Sequence, residues 1–282
     1  MKIKINKILI GYLLILSGIS YAANENTFTG SSSRPNKIIN NSAGRLTLST
    51  EYNSISQDFR QKFIIIHYTA INKESSIRAL VEKDVSSHFL ISDQYGDPVY
   101  YLVDEDKRAW HAGLSSWKTR TNLNDSSLGI EIVNNEFVPY KDFQIEQVAV
   151  LVKYLSDKYQ IPPENILGHS DIAPQRKSDP GALFPWKELY EKYGLGMWYD
   201  EYIKQSYENE NANNFYNISS YDIQNEFKKF GYGIELTGIL DKQTENVVKA
   251  FQHRFRPSLY DGIVDLETYA ILKALNQKYN NK

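Results

Sequence analysis

The chain has 282 residues, of which 41% are hydrophobic and 23% are charged. This composition excludes a wholly disordered or collagen-like chain and provides a core for one large domain or two ordinary ones. The 32 Lys and Arg residues are balanced by 34 Asp and Glu residues, so there is no basic excess of the kind that binds nucleic acid. The sequence has no Cys, which excludes thiol nucleophiles, disulfides and Cys-ligated metals.

The first 22 residues have the pattern of a secretory signal peptide. Three lysines precede an apolar run from Ile8 to Ile19, and small residues follow at Ser20 and Ala22. We expect cleavage near Ala22 or Ala23 and export across the inner membrane, most simply to a bacterial periplasm. The apolar run is short for a bilayer span, so no stable membrane anchor is expected.

The sequence after this leader predicts an α/β fold. Residues 23–49 are polar and are predicted to be an N-terminal arm. Residues 50–198 alternate between strand and helix patterns, which predicts a central mixed β-sheet flanked by helices. The predicted strands cover 63–66, 88–91, 99–103 and 128–133, and the predicted helices cover 74–84 and 144–159.

The C-terminal part has a different pattern. Residues 208–214 are rich in Asn and have no apolar period, so a linker is predicted over 199–217. Apolar residues then return at helical spacing, around Phe227, Val248 and Leu272. Residues 218–282 are therefore predicted to be a small three-helix domain.

Two His and one Asp are candidate metal ligands. His67 ends the strand at 63–66, and His169 follows the apolar pair Ile166-Leu167 at another predicted strand end. Asp179 lies ten residues later in a loop that contains Pro. Sites are common at strand ends, although a lone His there is more often structural. Taken together, the three side chains predict a Zn²⁺ site with a fourth position open, as in hydrolytic zinc sites.

Glu131 and Lys177 are candidate catalytic residues. Glu131 lies inside the apolar strand, where a charge is costly unless it is paired or functional, and it is the candidate general base. The alternative is that Glu131 faces solvent on an alternating strand. Lys177 could stabilise an oxyanion on a scissile carbonyl, and the alternative is an ordinary solvated lysine.

Four motifs occur in order between about residues 50 and 198. They are His67-Tyr68-Thr69-Ala70, Ala109-Trp110-His111-Ala112-Gly113, Ser127-Leu128-Gly129-Ile130-Glu131, and Gly168-His169-Ser170-Asp171 with Arg176-Lys177-Ser178-Asp179-Pro180-Gly181. In these motifs the chain resembles the zinc-dependent N-acetylmuramoyl-L-alanine amidases of the type 2 family, which share a fold with peptidoglycan recognition proteins. It is most similar to the AmiD-like periplasmic branch, which has an Asp as third ligand and a C-terminal peptidoglycan-binding module.

The resemblance implies a role for each candidate residue. It implies that His67, His169 and Asp179 hold zinc. It also implies that Glu131 is the catalytic base and that Lys177 polarises the tetrahedral intermediate. The implied reaction is hydrolysis of the amide between the lactyl group of N-acetylmuramic acid and the first L-Ala of the stem peptide. The chain lacks the lipidated Cys of some members, a difference that concerns anchoring and not catalysis.

Three more residues are candidates for substrate binding. Trp110 and His111 are predicted to form a groove wall, with the indole packed on sugar or peptide and the imidazole hydrogen-bonded to substrate. The alternative is a buried Trp beside a His whose hydrogen bonds are satisfied within the protein. Arg176 is predicted to bind a stem-peptide carboxylate, and the alternative is an ordinary loop charge.

The C-terminal unit contains a repeated pattern, Gly238–Thr244 and Gly262–Thr268, which fits a turn followed by a capped helix. This unit resembles the three-helix peptidoglycan-binding domain. A second binding module would raise the effective concentration of the enzyme on a polymeric wall. The alternative is a helical module with another partner.

Two other functional classes have less support in the sequence than a zinc amidase. A non-catalytic peptidoglycan-recognition protein would keep the fold and groove, but such proteins usually lack part of the metal set, which is complete here. A zinc protease has no support, because there is no His-Glu-x-x-His pattern. The expected partners are peptidoglycan or muropeptides, and no nucleic acid.

Overall fold

The computed structural model describes residues 34–280. The chain forms two compact units that divide between Asp58 and Phe59. In the first unit, strands β1 (Lys37–Asn41) and β2 (Gly44–Leu48) pair as an exposed antiparallel hairpin. The predicted polar arm at 23–49 therefore has regular structure in its described part. The predicted signal peptide, residues 1–22, lies outside the described residues.

The second unit is built on a five-stranded mixed sheet. Its strands and those of a small hairpin are β3 (Phe63–Tyr68), β4 (Phe89–Ile91), β5 (Tyr100–Tyr101), β6 (Ser116–Trp117), β7 (Arg120–Thr121), β8 (Ser127–Ile132) and β9 (Ile166–Gly168). The sheet order is β5-β4-β8-β3-β9, and β6 pairs with β7 separately. Strands β4, β8, β3 and β9 are parallel, whereas β5 is antiparallel to β4.

Helices surround this sheet and form the C-terminal region. They are α1 (Lys73–Glu82), α2 (Asp142–Tyr159), α3 (His169–Ile172), α4 (Trp186–Tyr193), α5 (Glu201–Asn211), α6 (Ser220–Phe230), α7 (Lys242–Phe255) and α8 (Leu266–Asn280). No helix within residues 34–280 combines the length and apolar character that a membrane crossing requires.

The sequence pattern explains the sheet. Ile64, Ile65 and Ile66 are fully buried on both faces of β3, as a continuous β-branched run in a parallel strand predicts. Helix α2 buries Val148 and Val152 among the apolar residues of the same core. The predicted fold class, a central mixed sheet with flanking helices and a helical C-terminal region, is confirmed. The predicted strand at 99–103 is shorter than expected, since only Tyr100–Tyr101 pairs with β4.

The segment predicted to be a linker, 199–217, contains helix α5. Asp200 begins this helix by accepting a hydrogen bond from the Ile203 amide, and Lys204 lies 3.4 Å from Glu267 of α8. Phe215, beyond the helix, is buried near Tyr269. The Asn residues of this segment reflect its exposure to solvent. They give no sign of the contacts that hold the helix against α8, so the helix was not predicted.

Helices α6, α7 and α8 follow the sequence prediction, and the first two share one motif. The Gln224 amide of α6 donates to Ile239 O and accepts the Gly238 N–H. The Gln252 amide of α7 donates to Ile263 O, and its oxygen accepts the Gly262 N–H in the same way. The repeated sequence pattern is therefore a repeated helix-and-loop structure. Asp241 and Asp265 accept amide hydrogen bonds from Thr244 and Thr268, as predicted for helix caps.

The C-terminal helices pack closely on the sheet-containing part of the chain. Trp117 makes edge contacts with the rings of Phe230 and Tyr232. Gly231, between these two residues, has φ +145°, and a Cβ there would lie 2.7 Å from the Trp117 ring. A side chain at position 231 would therefore be excluded by backbone conformation and by space.

We expect Gly231→Ala to lower the free energy of unfolding by about 2–4 kcal/mol, because it combines backbone strain with a clash against a buried Trp. The matched control is Gly194→Ala, where φ is +68° and nothing lies within 4 Å of the new Cβ. The control should cost only about 1–2 kcal/mol of backbone strain. Urea denaturation measures both, and equal losses would show that the contact with Trp117 has no energetic consequence.

Candidate active site

The register of the parallel strands brings the candidate residues to one edge of the sheet. His67 lies directly opposite Glu131 in the pairing of β3 with β8. On the other side of β3, Ile66 lies opposite Gly168, so His169 follows at the next position. The carboxyl ends of parallel strands share one sheet edge, and this is where sites form in α/β folds.

Asp179 reaches the same point from the loop after α3. The amide of Ser170 donates to Asp179 O at 2.8 Å, which ties the loop to the residue that follows His169. The hydroxyl groups of Tyr68 and Ser178 are 2.9 Å apart and connect the loop to the end of β3. Three chain segments therefore hold the Asp179 carboxylate against the two imidazoles.

The three candidate metal ligands converge closely. His67 Nδ1, His169 Nδ1 and Asp179 Oδ2 are mutually 3.0 Å apart. All three side chains are buried, and they form a group whose donor atoms could hold one metal ion.

A chain of hydrogen bonds determines which His67 nitrogen carries a proton. The Ser127 hydroxyl donates to Leu123 O at 2.6 Å, so its oxygen accepts from His111 Nε2 at 3.2 Å. Burial lowers the pKa of His111 well below 6.5, so its ring is neutral and Nδ1 is a bare acceptor. His111 Nδ1 lies 3.0 Å from His67 Nε2, which is therefore the protonated nitrogen of His67.

The remaining lone pairs all face one point. Burial lowers the pKa of His67 to about 4, so its ring is neutral at pH 7 and Nδ1 is bare. His169 Nε2 lies 3.2 Å from Ala112 O and 3.4 Å from Arg176 Nη2, and donation to the carbonyl leaves Nδ1 as the acceptor that faces the cluster. Burial alone would raise the pKa of Asp179, but hydrogen bonds and charge interactions with His169 and His67 hold it below its usual value.

This donor set fits a zinc ion. Three hydrogen-bond acceptors 3.0 Å apart cannot satisfy one another without a shared cation. Tetrahedral zinc with bonds of about 2.0–2.1 Å places its ligands about 3.3 Å apart, close to the observed spacing. Two imidazoles and one carboxylate are also a ligand set that zinc accepts, and the second His nitrogens are engaged as such ligands require.

Glu131 is partly buried beside this group, and the alternative of a freely solvated side chain does not hold. Its Oε2 atom is buried and has no hydrogen-bond partner within residues 34–280. Burial, followed by the charge of Asp179, raises the pKa of Glu131 to about 8, against the opposing effect of Lys177. A carboxylate with an unsatisfied oxygen and a pKa near neutrality has the properties of an acid–base group.

Lys177 and Trp110 line the cavity above the three ligands, which has a volume of about 430 Å³. The Lys177 side chain is exposed, and its ammonium group forms no hydrogen bond or ion pair in the described part of the chain. The Trp110 indole is 53% exposed, with the Arg108 guanidinium stacked 3.8 Å from its centre. Both side chains are therefore available to a bound molecule.

The structure places two predicted substrate-binding residues differently. Both ring nitrogens of His111 are engaged, one by His67 and the other by Ser127. His111 therefore orients the candidate ligand His67 and has no ring nitrogen left to bind substrate. Arg176 Nε donates to Leu114 O, and Nη2 donates to Ala112 O and Leu114 O. Arg176 therefore binds the loop that follows Trp110 through Nε and Nη2, and it also lines the cavity, so its predicted contact with a stem-peptide carboxylate stays a prediction.

Sequence reasoning missed the contribution of Ser127 and Gly129. A Cβ on Gly129 would lie 2.6 Å from the His111 ring, so only glycine leaves space for that ring. The signal was the Gly in a strand of otherwise large apolar residues, which indicates close approach of another group.

Comparisons with known proteins identify the family. The family model for N-acetylmuramoyl-L-alanine amidase matches residues 57–182, and that for a putative peptidoglycan binding domain matches residues 220–272. The chain is 39% identical over 234 residues to N-acetylmuramoyl-L-alanine amidase AmiD of Escherichia coli strain K12, covering 78% of this chain and 84% of the relative.

Two solved structures share the fold over most of their length. The complex of E. coli AmiD with anhydro-N-acetylmuramic acid-L-Ala-D-γ-Glu-L-Lys has a TM-score of 0.76 at 36% identity and covers 87% of this chain and 99% of the other. AmpDh3 of Pseudomonas aeruginosa in complex with an anhydromuramic pentapeptide has a TM-score of 0.77 at 39% identity. The match covers 80% of this chain and 95% of the AmpDh3 chain. The chain belongs to the N-acetylmuramoyl-L-alanine amidase family, as its motifs and its cluster of two His and one Asp indicate.

Proposed function

We propose that the chain hydrolyses the amide between N-acetylmuramic acid and L-Ala with a Zn²⁺ ion held by His67, His169 and Asp179. The observation that carries this proposal is the convergence of three bare acceptor atoms within 3.0 Å of one another. The cluster lies on the wall of a cavity large enough for a muramyl peptide. Bound zinc would supply a Lewis acid that activates water and the scissile carbonyl.

Glu131 is proposed to be the proton carrier of the reaction. It would take the proton of the attacking water and pass it to the amine of L-Ala as the C–N bond breaks. Its unpartnered Oε2 supports this role, because no protein donor competes for the proton. Burial raises the pKa of Glu131 in the metal-free chain, which gives this carboxylate a higher proton affinity than an exposed Glu has.

Lys177 is proposed to stabilise the negative charge that develops on the carbonyl oxygen. Its ammonium group lines the cavity and has no ion-pair partner within residues 34–280. A positive charge that is free before the reaction interacts more strongly with the oxyanion than with the neutral carbonyl. Trp110 is proposed to pack its exposed ring against the sugar or peptide.

The substrate and location are inferred from separate observations. The AmiD and AmpDh3 structures contain anhydromuramyl peptides, which supports a muramyl peptide as the occupant of the cavity. The match of residues 220–272 supports peptidoglycan binding by the C-terminal module, proposed to span 218–282. The leader pattern at 1–22 supports export to the periplasm.

We expect His67→Ala, His169→Ala and Asp179→Ala each to lose bound zinc and amidase activity together, because each removes one of three ligands. Metal analysis of the purified protein and mass spectrometry of stem peptide released from muropeptides measure the two losses. The control is His88→Gln, a buried His that accepts the Gly129 N–H and lies outside the cluster. A variant that keeps full zinc would remove its residue from the ligand set.

We expect Glu131→Gln to keep zinc and the fold but to lower kcat by about 10²–10⁴-fold, the usual contribution of a general base. The matched control is Glu136→Gln, which removes an exposed carboxylate near Tyr68 and should leave kcat nearly unchanged. Turnover of a soluble muropeptide measures both rates. A near-normal rate for Glu131→Gln would refute its role as the base.

The buried Glu131 carboxyl also predicts how the stability of the metal-free protein depends on pH. Its pKa is about 8 in the fold and 4.5 ordinarily, so the folded chain binds this proton more tightly than the unfolded chain. The stabilisation from protonation is complete below about pH 4.5 and is lost as pH rises to about 8. Relative to Glu131→Gln, the chelator-treated wild type should lose thermal stability as pH rises through this window. A difference in melting temperature between the two proteins that does not change with pH would contradict the burial of the Glu131 carboxyl.

A further inference from the structure

A buried carboxylate lies two residues after His169. Asp171 Oδ2 accepts the Gly168 N–H at 2.8 Å, immediately before His169. The side chain of Asp171 is 2% exposed, so its charge requires partners within the protein. Those partners come from the C-terminal part of the chain.

Arg254 of α7 and Tyr232, after α6, supply the partners. Arg254 Nη1 lies 2.7 Å from Asp171 Oδ2, and the Tyr232 hydroxyl donates to Asp171 Oδ1 at 2.8 Å. Arg254 Nη2 also donates to Ile166 O at 3.1 Å, and the guanidinium stacks 3.9 Å from the centre of the Trp186 ring. One arginine thus contacts both ends of the segment from Ile166 to Asp171.

This segment carries His169, and its position determines where Nδ1 lies. The ligand-cluster distances of 3.0 Å leave little tolerance, because a site loses affinity when its ligands move by about 0.5 Å. On its other side, His169 Nε2 lies 3.2 Å from Ala112 O and 3.4 Å from Arg176 Nη2. Its backbone follows strand β9, and the amides of Gly168 and Ser170 on either side of it donate to Asp171 Oδ2 and Asp179 O.

We propose that Arg254 and Tyr232 are positioning residues for the metal ligand His169, so that the C-terminal helical module forms part of the catalytic unit as well as a wall-binding domain. The inference rests on the proposed zinc site. It gives this module a role in chemistry on soluble substrates, where binding to a polymeric wall contributes nothing.

The chemistry of the ion pair between Arg254 and Asp171 supports a role in positioning His169. Exchanging both members of a buried ion pair for apolar residues of similar volume is often neutral or stabilising, although removal of one member alone destabilises the fold, so net stability does not explain why the pair is charged. Its directional hydrogen bonds do fix geometry, and groups that orient a ligand His commonly change metal affinity by 10–100-fold when they are removed.

The test compares two buried arginines of the same module. Arg254→Met removes the contact with Asp171, whereas Arg256→Met removes a side chain, 4% exposed, that pairs with Asp265 inside the module. We expect Arg254→Met to weaken zinc binding about 10-fold or more, measured by competition with a chromophoric chelator. It should also lower kcat on a soluble muropeptide with little change in KM. Arg256→Met should lose thermal stability but keep wild-type zinc affinity.

Tyr232→Phe provides a milder variant that removes one hydrogen bond and no charge. It should weaken zinc binding in the same direction by a smaller factor, and it decides the question if Arg254→Met does not fold. Unchanged zinc affinity in Tyr232→Phe and in any folded Arg254→Met protein overturns the inference, as does equal weakening in Arg256→Met. Failure of the wild type to bind one zinc per chain would instead overturn the proposed metal site.

Discussion

The site depends on three lone pairs that face one another with no proton between them. Ser127 and His111 direct the proton of His67 to its far nitrogen, and Ala112 does the same for His169. With an ionised carboxylate as the third member, the cluster is rich in electrons and buried. A cation would satisfy all three acceptors at once, so the hydrogen bonds outside the cluster prepare it for a metal as much as the three candidate ligands do.

Much of this arrangement could be predicted from the sequence, because it follows from strand ends. The apolar run before His67 and the short run before His169 predict parallel buried strands, and such strands bring their carboxyl ends together. The inward orientation of Glu131 could not be predicted from alternation alone, since the pattern fits either face of a strand. The structure resolves the ambiguity because Glu131 lines the cavity beside the cluster and its Oε2 atom is buried.

The roles of His111 and Arg176 show the limit of motif reading. A His beside a Trp and an Arg beside a Lys both suggest contact with substrate, but hydrogen-bond partners distant in sequence decide what each side chain does. The helix at Glu201–Asn211 was missed for a related reason. Its stabilising contacts are with α8, more than 60 residues away, and local composition contains no information about them.

The wide separation of the parts of the site has a consequence for how the protein matures. His67 and Asp179 are 112 residues apart in the sequence, and Asp171 and Arg254 are 83 residues apart. No fragment that ends before Asp179 contains all three proposed ligands, so a growing chain could not complete the proposed site early. Uptake of the proposed ion would therefore follow folding, and the slow closure of long loops, more than encounter with the ion, should govern its rate.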